Sequence, residues 1–152
     1  MASEDLSITT REVDGRIEVF DIVRRRYVAC TPEEWVRQHM IHHMHFSLNY
    51  PLELMQVEGA ITLNGMSRRC DLVVYRKGKG TLNPVMIAEC KQPSVPINQK
   101  VLDQACRYNL VLKVPLLFLT NGPQQLCVRV DFQSQSLVQL PALPTWEELN
   151  KL

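Results

Sequence analysis

Apolar and polar residues alternate with a period of two through the middle of the chain, a pattern typical of half-buried β-strands. Two such segments, Met55 to Leu63 and Met66 to Arg76, are joined by Asn64-Gly65. This dipeptide between alternating segments is the strongest short-range signal for a β-hairpin. A third segment follows the turn residues 78–80 and ends in the apolar run 85–88. The pattern therefore predicts a three-stranded antiparallel meander.

A helix is predicted before the meander. Thr31 is a good N-cap, Pro32 suits the first helical position, and Glu34 follows three residues after the cap. The helix should continue to about His45, because apolar residues recur along one face at spacings of four. These residues are Val36, Met40 and Met44.

A second helix and a buried strand are predicted after the meander. Pro93 and Pro96 bracket a short loop, and Asn98 then caps the helix. The all-apolar run 116–119 suits a buried central strand that the chain reaches through this helix as a crossover. The last alternating strand is predicted over Leu126 to Phe132.

The two ends of the chain complete the predicted architecture. Residues 1–10 are expected to be a loose terminus and residues 11–152 a single domain. The β-like region from Ile17 to Val28 predicts an N-terminal β-hairpin, and Thr145 with Glu148 predicts a short C-terminal helix. The core order is therefore α-β-β-β-α-β, which indicates an α/β protein of the α+β type with a mixed sheet.

The predicted strand registers bring three acids together. A two-residue turn at Asn64-Gly65 pairs Glu58 with Asp71. Asp71 and Glu89 are equidistant from Gly80, so a hairpin centred there places them opposite each other. Like charges directly opposite one another destabilise a sheet. Three gathered carboxylates therefore suggest a bound divalent metal ion.

The order of these motifs resembles the PD-(D/E)XK nuclease superfamily, in which an acid is followed by acid-x-lysine on the next strand. The closer resemblance is to the N-terminal nuclease domain of type I restriction enzyme R subunits, including small stand-alone bacterial forms. It covers Val13 to Asp131 and rests on segments 69–75, 87–91 and 104–108. The last segment carries the Gln-x-x-x-Tyr motif of this branch and of RecB-like nucleases.

The resemblance implies a restriction-endonuclease-like fold and metal-dependent hydrolysis of DNA phosphodiester bonds. Asp71 and Glu89 would supply hard oxygen ligands for Mg²⁺, for which Mn²⁺ may substitute, and the Cys90 backbone carbonyl could supply a third ligand. Glu89 and Lys91 share one face of their strand, so Lys91 could hold or polarise the attacking water. The alternative is a surface ion pair between Lys91 and one of the two acids.

The resemblance also implies roles for helical residues. Glu34 (or Glu33) lies where many of these nucleases place a glutamate that touches metal-bound water, although Glu34 also fits a capping box. Gln104 and Tyr108, four residues apart, project from one helix face toward the site in the resembled branch. The alternative for this pair is a half-buried tyrosine beside an exposed glutamine.

Two further groups have both a chemical and a structural interpretation. Glu58 is either another metal ligand or the partner of Arg68 or Arg69. All four histidines lie on the first predicted helix, where His39 and His43 have a spacing that can bind zinc. No His-Glu-x-x-His pattern is present, so a helix face near a partner or substrate is the preferred interpretation.

Composition narrows the function classes. The formal net charge of +1 means that DNA affinity must come from local basic patches, of which 24–26, 68–69 and 76–79 are candidates. The five cysteines are odd in number and show no Cys-x-x-Cys spacing, which favours reduced thiols in a cytoplasmic protein. No uninterrupted apolar stretch approaches the roughly 18 residues of a membrane span.

The first hypothesis is therefore a Mg²⁺-dependent DNA endonuclease, and the second is a nucleic-acid- or partner-binding module of the same fold with little activity in isolation. RNA processing is a third hypothesis. The sequence has no Gly-x-x-x-x-Gly-Lys-Ser/Thr loop. A motor or specificity partner would then act in trans, and a homodimer would allow both DNA strands to be cut.

Overall fold

The computed structural model describes residues 8–63 and 65–152, apart from the side chains of residues 63, 66, 108, 110 and 111. Strands dominate this part of the chain, and three α-helices accompany them. The order is β1 (Thr10–Val13), β2 (Arg16–Asp21), β3 (Arg26–Ala29), α1 (Pro32–His42), β4 (Met55–Leu63), β5 (Met66–Lys77), β6 (Leu82–Cys90), α2 (Gln99–Leu112), β7 (Leu116–Thr120), β8 (Gln125–Asp131), β9 (Ser136–Leu140) and α3 (Trp146–Leu149). The predicted mixed α+β class is confirmed.

The main sheet has six strands in the order β4-β5-β6-β7-β8-β9. The β6–β7 pair is parallel, because α2 carries the chain across the sheet between these strands, and the other neighbours are antiparallel. Every residue of β7 is buried, as predicted for a central strand. One apolar core packs on the face covered by α1, and a second packs on the face covered by α2.

The strand registers around the predicted acids are confirmed. Val57 lies opposite Leu72, and Leu72 in turn lies opposite Ala88. The second pairing is the register that puts Asp71 opposite Glu89. The β5–β6 register shifts by one residue between Val74 and Tyr75, near Pro84, which has no N–H to donate to the ladder.

Helix α1 begins as predicted and ends differently. Thr31 Oγ1 accepts a hydrogen bond from Glu34 N at 3.1 Å, which confirms the N-cap. The α-helix ends at His42, and a π-helical turn continues it over His43–Ser47. The predicted apolar stripe is buried against the sheet: Val36, Met40 and Met44.

The N-terminal region is a three-stranded antiparallel sheet, β1-β2-β3, rather than a hairpin. Residues 1–7 of the predicted loose terminus lie outside the described residues, while Thr10 already belongs to β1. At the other end, Thr145 and Glu148 form the reciprocal capping box of α3. Within residues 8–63 and 65–152, none of the helices has the length and apolar character needed to span a membrane.

Candidate active site

Asp71 on β5 and Glu89 on β6 lie beside each other on neighbouring antiparallel strands. Asp71 Oδ2 accepts a hydrogen bond of 2.7 Å from Cys90 N, which fixes this carboxylate against the neighbouring strand. The Glu89 side chain is 12% exposed. The structure therefore brings together the two acids that the sequence places opposite each other.

The two carboxylates of this pair repel each other, which changes the pKa of Glu89. Burial and then the nearby Asp71 carboxylate raise the pKa of Glu89 from 4.5 to about 8, because Arg68 and Lys91 oppose the shift only in part. Two carboxylates in contact form a donor set whose mutual repulsion a divalent cation would relieve.

Lys91 and Gln104 lie on the same side of the sheet as Glu89. Together with Arg68 they line a cavity of about 190 Å³ between β6 and α2. Cys90 is buried on the opposite face, where its Sγ lies 3.7 Å from Met40 Sδ. The alternation predicted for residues 89–91 is therefore confirmed, and the exposed Gln104 overlooks the site from α2.

Tyr108 follows Gln104 by one turn of α2, and its side chain lies outside the part of the chain that the structure describes. The predicted orientation of Tyr108 therefore stays a prediction. The role of the Cys90 carbonyl as a third ligand likewise stays a prediction.

Arg68 is the closest cation to Glu89. Its Nη2 lies 2.9 Å from Glu89 Oε1, with the two side chains 22% and 12% exposed. The two groups form an ion pair by distance, but Oε1 is buried and receives no hydrogen bond of acceptable geometry. One oxygen of the acid pair thus retains acceptor capacity for another cation.

The first-helix glutamates have different environments. Glu34 Oε1 accepts hydrogen bonds from Arg24 Nη2 at 2.8 Å and Arg37 Nη2 at 2.6 Å, and Oε2 accepts from Arg37 Nε at 2.9 Å. Gln38 Nε2 adds a fourth contact at 3.0 Å. Burial alone would raise the pKa of Glu34, but the hydrogen bonds from Arg37 and Gln38 lower it to about 2.

The predicted capping box at Glu34 is wrong in its second half. The Glu34 carboxylate reaches the arginines, and Thr31 N donates instead to the Ala29 carbonyl at 3.1 Å. Glu33, in contrast, interacts electrostatically with Asp71 of the acid pair. Burial and then the Asp71 carboxylate raise its pKa, while Lys91 and Arg37 lower it.

Arg37 connects this buried network to Asp71. Its Nη1 donates to the Asp71 backbone oxygen at 3.5 Å and lies 4.0 Å from Asp71 Oδ1. Because Glu34 holds the same guanidinium, Arg37 presents a fixed positive charge behind Asp71. A role for Arg37 near the site was not predicted, although the i, i+3 spacing from Glu34 is a signal for a helical ion pair.

Glu58 departs from its predicted position. It adopts a left-handed backbone conformation, φ 55°, within β4. Its expected pairing with Asp71 is not formed, although the pairs on either side keep their register. Its Oε1 lies 3.6 Å from Arg37 Nη2, so its ion-pair partner is Arg37 rather than Arg68 or Arg69. A left-handed non-glycine residue in a strand is strained and often marks a functional site.

The histidines lie elsewhere. His39, His42 and His43 line a cavity of about 460 Å³ between α1 and β7, on the face opposite Lys91. This cavity is larger than the one beside Glu89, but it lacks the acid pair. Among the described residues, no three His, Cys, Asp or Glu side chains are arranged to hold a metal ion. A zinc site on α1 therefore gains no support.

The acid pair nevertheless fits a hydrated magnesium-type ion. Mg²⁺ keeps several waters and binds through one or two carboxylates, so a cage of three side chains is not required. Asp71 and Glu89 supply the hard oxygens, and the exposed fraction of the site admits water. Burial and the neighbouring Asp71 carboxylate raise the pKa of Glu89, so a cation between the two acids would stabilise their ionised forms.

Residues 32–144 match the family described as type I restriction enzyme R protein N terminus (HSDR_N). The chain belongs to this family. The match includes α1, both acids, Lys91 and the Gln-x-x-x-Tyr segment. The resemblance inferred from the sequence motifs is therefore confirmed. No match to a curated protein was found.

Two solved structures share the fold at low identity. A fragment of a proposed HsdR subunit of a type I restriction enzyme from Vibrio vulnificus YJ016 has a TM-score of 0.54 and 18% identity, over 80% of this chain. This chain spans 25% of the Vibrio chain. A proposed nuclease of the DUF820 group from Anabaena variabilis ATCC 29413 has a TM-score of 0.51 and 13% identity, over 95% of this chain and 85% of that one.

Proposed function

We propose that this chain is a metal-dependent nuclease domain that hydrolyses DNA phosphodiester bonds in a restriction or DNA-processing system. The observation that carries the proposal is the contact between Asp71 and Glu89, with Glu89 and Lys91 sharing the cavity under α2. Membership of the restriction R-subunit family and the succession α1-β4-β5-β6-α2-β7 support a restriction-endonuclease-like core.

Asp71 and Glu89 would hold Mg²⁺ or Mn²⁺, with the Cys90 carbonyl as a third ligand and Glu33 facing the ion's water shell. Such an ion, when bound, supplies Lewis acidity toward the phosphate and lowers the pKa of a coordinated water. Glu34 fixes the guanidinium of Arg37, and Arg37 in turn donates to the Asp71 backbone oxygen. The roles of these side chains are thus to present two fixed oxygens at one edge of the sheet.

Lys91 would hold the attacking water and offset negative charge that develops on the phosphate. Its ammonium shares the cavity with Glu89, so the water and the acid pair lie within reach of one another. Gln104 is positioned to donate to the DNA backbone, because an amide can bind phosphate but cannot transfer protons near neutral pH. Tyr108, one turn further on, would extend the same contact.

A nucleic-acid- or partner-binding module with little activity in isolation is the second candidate. The observation that favours it is that no three His, Cys, Asp or Glu side chains among the described residues are arranged to hold a metal ion. A motor or specificity partner would then act in trans, or two copies would act together on the two DNA strands. The deciding quantity is cleavage by the isolated chain.

The test compares wild-type protein with Asp71→Asn and Glu89→Gln on supercoiled and linear DNA in Mg²⁺ and in EDTA. We expect metal-dependent cleavage by the wild type and at least a hundredfold loss in both variants, because each loses a charged ligand. Calorimetry with Mn²⁺ should show binding by the wild type and weakened binding by the variants. Mn²⁺ binding without cleavage would support the binding module, and equal Mn²⁺ affinity in wild type and variants would refute the site.

A further inference from the structure

Arg68 lines the same cavity as Glu89. It lies on β5 three residues before Asp71, and its side chain lines the cavity with Glu89, Lys91 and Gln104. Its guanidinium is 2.9 Å from Glu89 Oε1 and is largely shielded from solvent. Its neighbour Arg69 is exposed, as expected for the next residue along a strand, whose side chain points to the opposite face.

Arg68 and a divalent cation would compete for the same oxygen. A guanidinium has only donor groups and no acceptor, so Arg68 engages Glu89 as a cationic donor. Arg68 can leave an ionised Glu89 only when another cation compensates the negative charge of Glu89. Because a guanidinium is weakly hydrated and its planar donors match phosphate geometry, the released group has an obvious anionic partner in a nuclease site.

The charges of the cavity support this order of events. Among the described residues that line it, Glu89 is the single acid, and Arg68 and Lys91 are the cations. With an ionised Glu89 engaged by Arg68, one net positive charge faces the opening. When a divalent cation engages Glu89 instead, the positive charges of Arg68 and Lys91 are no longer offset by Glu89 and attract an anion more strongly. The cavity thus binds phosphate better after the cation than before it.

We propose that Arg68 neutralises Glu89 while no divalent cation is bound, and binds a phosphate of the DNA backbone once Glu89 holds one. This inference rests on the proposed function, because it requires a cation at Glu89. It assigns Arg68 a phosphate-binding role that couples DNA affinity to metal occupancy. Arg68 would thereby delay tight DNA binding until the site is loaded.

The test uses Arg68→Gln, with Arg69→Gln as the matched control on the same strand. Calorimetry with Mn²⁺ should show about tenfold tighter binding by Arg68→Gln, since a competing cation is removed, and no change for Arg69→Gln. Anisotropy with a labelled DNA duplex in Ca²⁺ should show about tenfold weaker binding by Arg68→Gln, with the salt slope reduced by about one. In EDTA the DNA affinity of Arg68→Gln should fall by less than in Ca²⁺.

Arg69→Gln should change DNA affinity, if at all, by the same factor in Ca²⁺ and in EDTA. Thermal unfolding checks that the variants fold, and Arg68→Lys serves if the glutamine variant does not: it should keep wild-type Mn²⁺ affinity and lose part of the Ca²⁺-dependent DNA affinity. Wild-type Mn²⁺ affinity in Arg68→Gln, or an equal loss of DNA affinity in both buffers, would overturn the inference alone. Wild-type protein that binds no Mn²⁺ would overturn the proposed function and this inference together.

Discussion

The proposed role of Lys91 can be distinguished experimentally from the roles of the proposed metal ligands. It shares the cavity with Glu89, yet it is a cation beside the expected position of another cation. Removing it should therefore leave metal affinity unchanged or stronger, while hydrolysis loses the group that holds the water. The two effects have opposite signs, so they can be distinguished in one variant.

We expect Lys91→Ala to lower the rate of DNA cleavage by about a hundredfold or more, the scale of losing one group that stabilises transition-state charge. Calorimetry with Mn²⁺ should show affinity equal to or above that of the wild type. Lys77→Ala, an exposed lysine on the same sheet, is the control and should cleave at the wild-type rate. Near-wild-type cleavage by Lys91→Ala would remove the proposed role.

At the residue scale, the predicted placement of Asp71 opposite Glu89 is confirmed, but the turn signals do not explain it alone. Near the turn Lys77 lies opposite Leu82, and the register shift between Val74 and Tyr75 is what brings the two acids opposite each other. The cations were not predictable in the same way. Arg37 and Arg68 acquire their roles from distances across α1, β5 and β6. Choosing between Glu33 and Glu34 likewise depends on how α1 is rotated against the sheet, and both residues satisfy the same sequence pattern.

At the scale of elements, α1 is held to the sheet by charge as well as by its apolar stripe. Arg24 ion-pairs with Asp21 of β2, Glu34 joins Arg24 to Arg37, and Arg37 reaches Asp71. Breaking a buried ion pair from one side is costly because the remaining charges stay buried. The network therefore links the small N-terminal sheet to the candidate site.

We expect Glu34→Gln to lower the free energy of unfolding by about 3 kcal/mol, since two arginines lose their buried partner. Glu33→Gln, the adjacent residue on the same helix, should change it by less than about 0.5 kcal/mol but should weaken Mn²⁺ binding. Urea unfolding and calorimetry measure the two quantities. The stability from Glu34 should be present above pH 4.5 and lost as the pH falls toward about 2, because its pKa is lowered in the fold.

Equal unfolding free energies for Glu34→Gln and Glu33→Gln would contradict these different roles of the two glutamates.

At the scale of elements, some features could be predicted from sequence patterns and others could not. Caps at Thr31 and Asn98 and the crossover through α2 follow local chemistry and were predictable. The bulge beside Pro84 and the left-handed Glu58 were not, because both depend on how neighbouring strands accommodate one another.

For the molecule as a whole, the candidate site costs stability when no cation is bound. The pKa of Glu89 is about 8 in the fold and 4.5 as an ordinary glutamate, so the folded state holds an extra proton between these values. Stability contributed by this group is therefore lost as the pH rises from about 4.5 to about 8. A bound cation reverses the penalty, because it stabilises the ionised acid in the folded state alone.

We therefore expect Glu89→Gln to be more stable than the wild type at pH 8 in EDTA, by an amount on the order of a few kcal/mol, and to differ little at pH 4.5. Saturating Ca²⁺ should raise the melting temperature of the wild type and leave that of Glu89→Gln nearly unchanged. Glu53→Gln, an exposed glutamate, should follow the wild type in both buffers. Because other groups also titrate in this range, the informative quantity is the difference between variant and wild type at each pH. A difference that stays constant from pH 4.5 to pH 8 would show that Glu89 does not carry this penalty, and would leave the acid pair without its electrostatic reason to bind a cation.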